Sequence, residues 1–148
     1  MGFVKSTSFF LRKFINLLKK VEKLFKPDGG TAMLALTYKC QCHCAHCGSF
    51  LHKEPGGKTR LNHSEISYAI DELADAGFSQ IYFFGGEPLL VPELSSYIKH
   101  SAKRKMRTRL DTIGLLLDES MVKKLKEEGL SLIGLSIDSH DPDIHDNL

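Results

Sequence analysis

No apolar run in this 148-residue chain is long enough to span a bilayer, and no secretory signal builds at its start. Arg12 and Lys13 interrupt Phe9-Phe10-Leu11 before an apolar region can form, and no small-residue cleavage site follows. Cysteine is sparse, at four, and three of the four sit too close along the chain to the next one to cross-link distant segments. A disulfide framework is therefore not expected, and a reducing, cytoplasmic setting with metal-bound thiolates is. A large charge of one sign is missing too, since the formal net charge is +2. Seven basic side chains up to Lys26 face only Glu22, so the remainder of the chain is net acidic. A basic head on an acidic body is unlike the charged face of a nucleic-acid-binding domain, and no nucleic-acid partner is expected. Nor is there a nucleophile elbow, a P-loop or a dinucleotide-binding fingerprint, so those three chemistries have no motif here.

What is present divides into two segments. Residues 1–30 form a basic head and linker. From Ser8 to Lys26, the apolar residues Leu11, Phe14, Leu18, Val21 and Phe25 recur at spacings of three and four, which predicts an amphipathic helix. Two roles stay open for it: packing on the outside of the following domain, or resting on an anionic membrane surface. Pro27-Asp28-Gly29-Gly30 then breaks the chain.

Residues 31–148 are long enough for one core and show a regular rhythm. Strands are expected at Ala32 to Leu36, Ile81 to Phe84, Thr108 to Thr112 and Leu132 to Ile137. Between them run three helices. Asn62 and Glu65 make a capping box for the first, which carries Ile66, Ile70, Leu73 and Ala74 and stops at Gly77. Pro92 opens the second, with Leu94, Tyr97 and Ile98. Asp118 caps the third, with Val122 and Leu125 inward and Gly129 at its end. Strand and helix in alternation mean βαβ units around a parallel sheet, an α/β class. Polar residues gather where each strand ends, which is where parallel α/β architectures bind ligands. Four strands do not close a barrel, and the fourth would leave an apolar edge. The sequence therefore reads as a fragment, a truncated reading frame, or a half needing more chain.

The first strand end carries the chemistry. Cys40, Cys44 and Cys47 form a C-x3-C-x2-C run with Cys42 inside it. Three thiolates on a short loop can hold three irons of a cubic iron–sulfur cluster and leave the fourth open. Zinc sites use similar spacings, with His43 or His46 as further ligands, so a zinc-binding interaction module stays the alternative. Cys42 is either a spare fourth thiolate, closing the cluster, or a bystander.

With Gly85-Gly86-Glu87-Pro88 after the second strand and Ser136-Ile137-Asp138 on the fourth, this pattern resembles the radical S-adenosylmethionine (radical SAM) superfamily. Its MoaA-like and SPASM-type members, which modify peptides or make cofactors, are the nearest in kind. The resemblance covers residues 31–148 and implies the opening half of a partial (β/α) TIM-like barrel. It implies a [4Fe–4S] cluster on Cys40, Cys44 and Cys47, with S-adenosylmethionine chelating the open iron. Reductive cleavage would then give methionine and a 5′-deoxyadenosyl radical that abstracts hydrogen from a substrate. Gly85, Gly86, Glu87 and Pro88 are implied to meet the methionine amino group, His46 the adenine, and Ser136 and Asp138 the methionine carboxylate or ribose. A small electron donor such as a flavodoxin or ferredoxin is implied as partner, and a peptide is one candidate substrate. Where relatives often carry Thr-Asn-Gly on the third strand, this chain has Thr112-Ile113-Gly114, which leaves that strand without its polar amide. Asp111 beside it reads either as a site residue or as a carboxylate bonded locally. His140 and His145, among several aspartates, read as a solvated loop opening a helix after Pro142.

Overall fold

The computed structural model describes residues 29–48 and 61–146. The amphipathic helix expected from Ser8 to Lys26 lies outside them. Four strands, β1 (Thr31–Ala35), β2 (Gln80–Phe84), β3 (Arg107–Thr112) and β4 (Leu132–Leu135), form one sheet in the order β1-β2-β3-β4. Every neighbouring pair is parallel. Helices α1 (His63–Asp75), α2 (Leu94–Lys103) and α3 (Glu119–Glu127) connect them in turn, and a short α4 (Pro142–Asp146) follows β4.

The register explains the layering. Met33, Tyr82, Arg109 and Leu132 align across the sheet on one face, and Leu34, Phe83, Leu110 and Ile133 on the other. The second face carries the core. Ile81, Phe83 and Leu110 are fully buried with Ile66 and Ile70 of α1, Tyr97 and Ile98 of α2, and Leu125 of α3. Each such side chain contributes roughly 1.5–3 kcal/mol of transfer free energy. All three connecting helices thus cover one face and leave the other open, the arrangement of a (β/α) barrel opened before closure.

Local chemistry sets the helix ends. Asn62 Oδ1 accepts from the Glu65 amide at 2.9 Å, and Glu65 Oε2 accepts from the Asn62 amide at 2.8 Å, so the capping box is complete. Gly77, at φ +97°, supplies the left-handed exit that a side chain would strain. Asp118 Oδ1 caps α3 by accepting from the Met121 amide at 2.7 Å.

Apart from one-residue shifts at the ends of β1, β2 and β3, three features differ from expectation. Helix α2 begins at Leu94, because Pro88–Leu90 first makes a one-turn 3-10 helix and a turn at Pro92 and Glu93 intervenes. In α3, Met121 packs on the core and Val122 faces solvent at 40% exposure, so the apolar stripe is rotated by one residue. Strand β4 stops at Leu135, leaving Ser136 and Ile137 beyond it. The physical reason is its neighbour: β3 ends at Thr112, and the Gly114 amide, the next one that would face β4, folds back to Thr112 Oγ1 at 3.1 Å. Leu132 and Leu135 on this last strand and Ile137 just beyond it are exposed, the apolar edge foreseen from four strands. Among the described residues no helix is long and apolar enough to cross a membrane.

Candidate functional site at the strand ends

Beyond β1 and β2 the two chains stay bonded after the strands stop. The Leu36 amide donates to Phe84 O at 2.8 Å, the Gly86 amide to Thr37 O at 2.6 Å, and the Glu87 amide to Lys39 O at 2.8 Å. The lead-in to Cys40 is thereby laid directly on the Gly85–Glu87 turn. A side chain on that turn would not fit. A Cβ at Gly85 would lie 2.3 Å from Thr37 O, and one at Gly86 would lie 2.2 Å from Lys39 O. Gly85 also has φ +145°. Glycine is required here by the approach of the cysteine loop's own backbone.

None of the four cysteines is in a disulfide, and all four are part-exposed. The Cys42 amide donates to Cys40 Sγ at 3.4 Å, and the Cys47 amide to Cys44 O at 3.1 Å, which folds the loop into a turn. Desolvation, and then the neighbouring Cys40 and Cys44 sulfurs, raise the Cys42 thiol above its ordinary pKa. That environment disfavours Cys42 as a thiolate. The donor set suits a cluster: soft sulfur ligands, none tied up in a disulfide, one already receiving an amide hydrogen bond. A single zinc ion needs its ligand atoms about 2.0–2.3 Å from one point. Among the described residues no three His, Cys, Asp or Glu side chains come together closely enough to hold one metal ion.

Glu87 is only 1% exposed. Its Oε1 accepts from the Leu89 amide at 2.9 Å and from Thr112 Oγ1 at 2.7 Å, and its Oε2 from the Ile113 amide at 3.0 Å. Pro88, also buried, starts the one-turn helix that supplies the Leu89 donor. From the other side of the mouth, Asp138 Oδ1 lies 4.0 Å from His46 Nε2, and the Asp138 amide donates to His145 Nδ1 at 3.3 Å. His46 of the cysteine loop and Asp138 after β4 are therefore neighbours. Ser136 is exposed just past β4, with its amide donating to Thr112 O at 3.0 Å. Asp111 does bond locally, accepting from Arg109 Nε, and the guanidinium lies 5.0 Å over the Tyr82 ring on the open face.

Two residues escaped the sequence reading. Thr37 and Thr112 are both buried, Thr112 on the helix-covered face of β3 where alternation calls for apolar side chains. A polar residue at an inward position was the available signal.

Residues 34–148 match the family model described as the radical SAM superfamily. The chain is 36% identical over 106 residues to a PqqA peptide cyclase of Granulibacter bethesdensis, covering 72% of this chain and 28% of that protein. It is 37% identical over 103 residues to an Fe-coproporphyrin III synthase of Methanosarcina barkeri, covering 70% and 26%. The chain thus spans under a third of the length of these relatives. Its fold matches Streptococcus suis SuiB bound to S-adenosylmethionine with a TM-score of 0.69 at 20% identity, over 93% of this chain and 31% of that one. By the family match and by these relatives, the chain belongs to the radical SAM superfamily, whose members bind a [4Fe–4S] cluster and S-adenosylmethionine.

Proposed function

We propose that this chain holds a [4Fe–4S] cluster on Cys40, Cys44 and Cys47 and offers the fourth iron to S-adenosylmethionine for radical chemistry on a substrate. The observation that carries this reading is the pair of backbone hydrogen bonds, 2.6 and 2.8 Å, joining the lead-in of the three-thiol loop to the Gly85–Glu87 turn. They bring a soft-donor loop and a glycine turn to one end of a parallel sheet, where such folds bind ligands. When bound, the cluster and S-adenosylmethionine together supply reductive C–S cleavage and a 5′-deoxyadenosyl radical that abstracts hydrogen.

The protein's own share is position. The carbonyls of Gly85 and Gly86 accept from the methionine amino group, and Pro88 and Glu87 fix the turn that aims them. His46 stands by the adenine through its ring and backbone. Ser136 and Asp138, exposed at the mouth beside the cysteine loop, meet the carboxylate or ribose. Cys42, lying inside the C-x3-C-x2-C spacing and not part of it, stays out of the ligand set. A flavodoxin- or ferredoxin-like donor supplies the electron. A peptide is one proposed substrate class, supported by the similarity to PqqA peptide cyclases and by the fold shared with SuiB bound to precursor peptide SuiA. Cofactor biosynthesis is the other, supported by the similarity to an Fe-coproporphyrin III synthase. Thiols outside any disulfide suit a reducing cytoplasm, and the basic segment 8–26 either packs on the outside of the domain or rests on anionic membrane, which liposome sedimentation with and without that segment decides.

Anaerobic reconstitution with iron and sulfide, then reduction in the presence of S-adenosylmethionine, tests the reading. A brown protein yielding 5′-deoxyadenosine is the expected result. A colourless protein holding one zinc ion would replace it with the interaction-module reading. Cluster binding without 5′-deoxyadenosine, when a longer chain makes it, would mark this chain as inactive alone.

A further inference from the structure

We propose that Thr112 is a positioning residue for the cofactor pocket, acting through Glu87 on the cysteine loop. The proposal rests on the radical SAM reading of the site and assigns β3 a part in it that the Thr112-Ile113-Gly114 sequence does not advertise.

Glu87 is a buried carboxylate with no basic partner among the described residues. Among the described residues hydrogen-bond donors compensate its burial, and three of them converge on it. Two are backbone amides, of Leu89 and Ile113. The third, Thr112 Oγ1 at 2.7 Å, is the only side chain of the set and the shortest bond. Thr112 is itself 2% exposed and shares the face of β3 that holds Leu110, so the Glu87 carboxylate sits on the helix-covered side of the strand ends. It is turned away from the open face that bears Asp111. An acid whose oxygens are engaged from behind is placed to hold the turn, not to reach forward to an ammonium group.

The direction of the Thr112 hydroxyl is fixed as well. The Gly114 amide donates to Thr112 Oγ1 at 3.1 Å, occupying a lone pair and leaving the hydroxyl proton for Glu87. Valine has nearly the same shape and would fill this apolar position equally well, so packing does not account for the hydroxyl. The Glu87 bond does.

The consequence runs forward along the backbone. With its side chain tied to β3, Glu87 donates its amide to Lys39 O at 2.8 Å, one residue before Cys40, while Gly86 donates to Thr37 O. Thr112 thereby fixes, through one carboxylate, both the glycine carbonyls and the start of the cysteine loop. The contacts use the threonine hydroxyl and the Ile113 amide, so they do not need the asparagine that relatives often have at Ile113.

The test uses the full chain with T112V, T112S, E87Q and the T112V/E87Q double variant. Amide hydrogen exchange on the protein before reconstitution reads the lock without the cluster. T112V should speed exchange at Glu87 and Leu89 about tenfold, T112S should restore protection, and the double variant should be no worse than the worse single one. After anaerobic reconstitution, T112V should retain less iron and bind S-adenosylmethionine about tenfold more weakly, again rescued by T112S. Unchanged exchange and affinity in T112V would overturn the proposal. So would weaker S-adenosylmethionine binding with wild-type exchange, which would mean a direct contact, or additive losses in the double variant. If exchange responds as expected but no variant, wild type included, binds S-adenosylmethionine, the lock stands as a structural device. Its role in a cofactor pocket then falls with the family-based reading.

Discussion

The two faces of this sheet are built from the same strands and alternate residue by residue, yet they are different materials. The helix-covered face is largely apolar, with Ile81, Phe83 and Leu110 sealed against α1, α2 and α3, and is broken on β3 by the buried Thr108 and Thr112. The open face carries Met33 at 64% exposure, the half-buried Tyr82 and Phe84, and the Arg109–Asp111 pair. Even glycine serves a different end on each side of the molecule. Gly134 on the open face makes room for side-chain atoms, since a Cβ there would meet Asp111 Oδ1 at 2.3 Å. Gly85 and Gly86, at the strand ends, make room for backbone. The covered face fixes the fold, the strand ends gather the cysteine loop and the glycine turn, and the Thr112–Glu87 bond is where the first reaches into the second.

The sharpest break in this comparison is at the strand ends. Replacing Cys40, Cys44 or Cys47 by serine should abolish iron retention after reconstitution while leaving the circular dichroism spectrum intact. Cys42→Ser should keep iron close to the wild-type amount, and loss of iron in that variant would bring Cys42 into the ligand set. Within the sheet, Phe83→Ala should cost about 3–5 kcal/mol in denaturant unfolding, with Met33→Ala within about 0.5 kcal/mol of wild type. Equal losses from the two would mean that the open face is packed in solution.

The glycines sharpen the comparison further. Gly86→Ala, facing the immovable Lys39 backbone, should destabilise by about 3 kcal/mol and detach the cysteine loop, seen as faster amide exchange at Glu87. Gly134→Ala meets the ends of the Asp111 and Arg109 side chains, which can swing aside, so about 1 kcal/mol is expected and a combined Asp111→Ala should relieve it.

The smallest effect is at the α3 cap. The Met121 amide, then the Ser120 hydroxyl, lower the Asp118 pKa below its ordinary value. A carboxylate with a depressed folded-state pKa adds stability above its unfolded value and loses it as pH falls through the folded one. Asp118→Asn should therefore flatten the acid limb of the stability curve slightly. A carboxyl resonance titrating at the ordinary aspartate value would remove this contribution.

Much of the scaffold was readable in the chain because it is written locally. Asn62 with Glu65, Asp118 with Gly129, and the apolar runs each act within a few residues, and strand and helix identities follow from them. Local pattern also fails where a choice is made by neighbours. Whether Val122 or Met121 turns inward in a nine-residue helix depends on what α3 packs against. Where β4 ends depends on β3 turning its next β4-facing amide, that of Gly114, back onto Thr112. At the site, the residue types at the strand ends were legible, but not what ties them together. Glu87 and Thr112 are 25 residues apart and meet only once β2 and β3 are paired.

The central claim is that three thiolates, not four, hold a cluster whose remaining iron is open to S-adenosylmethionine. Electron paramagnetic resonance of the reconstituted, reduced chain tests it most directly, recorded before and after adding S-adenosylmethionine. A [4Fe–4S] signal whose shape and g-values change on addition is the predicted result. A signal indifferent to S-adenosylmethionine, or one that becomes responsive only in Cys42→Ser, would contradict it.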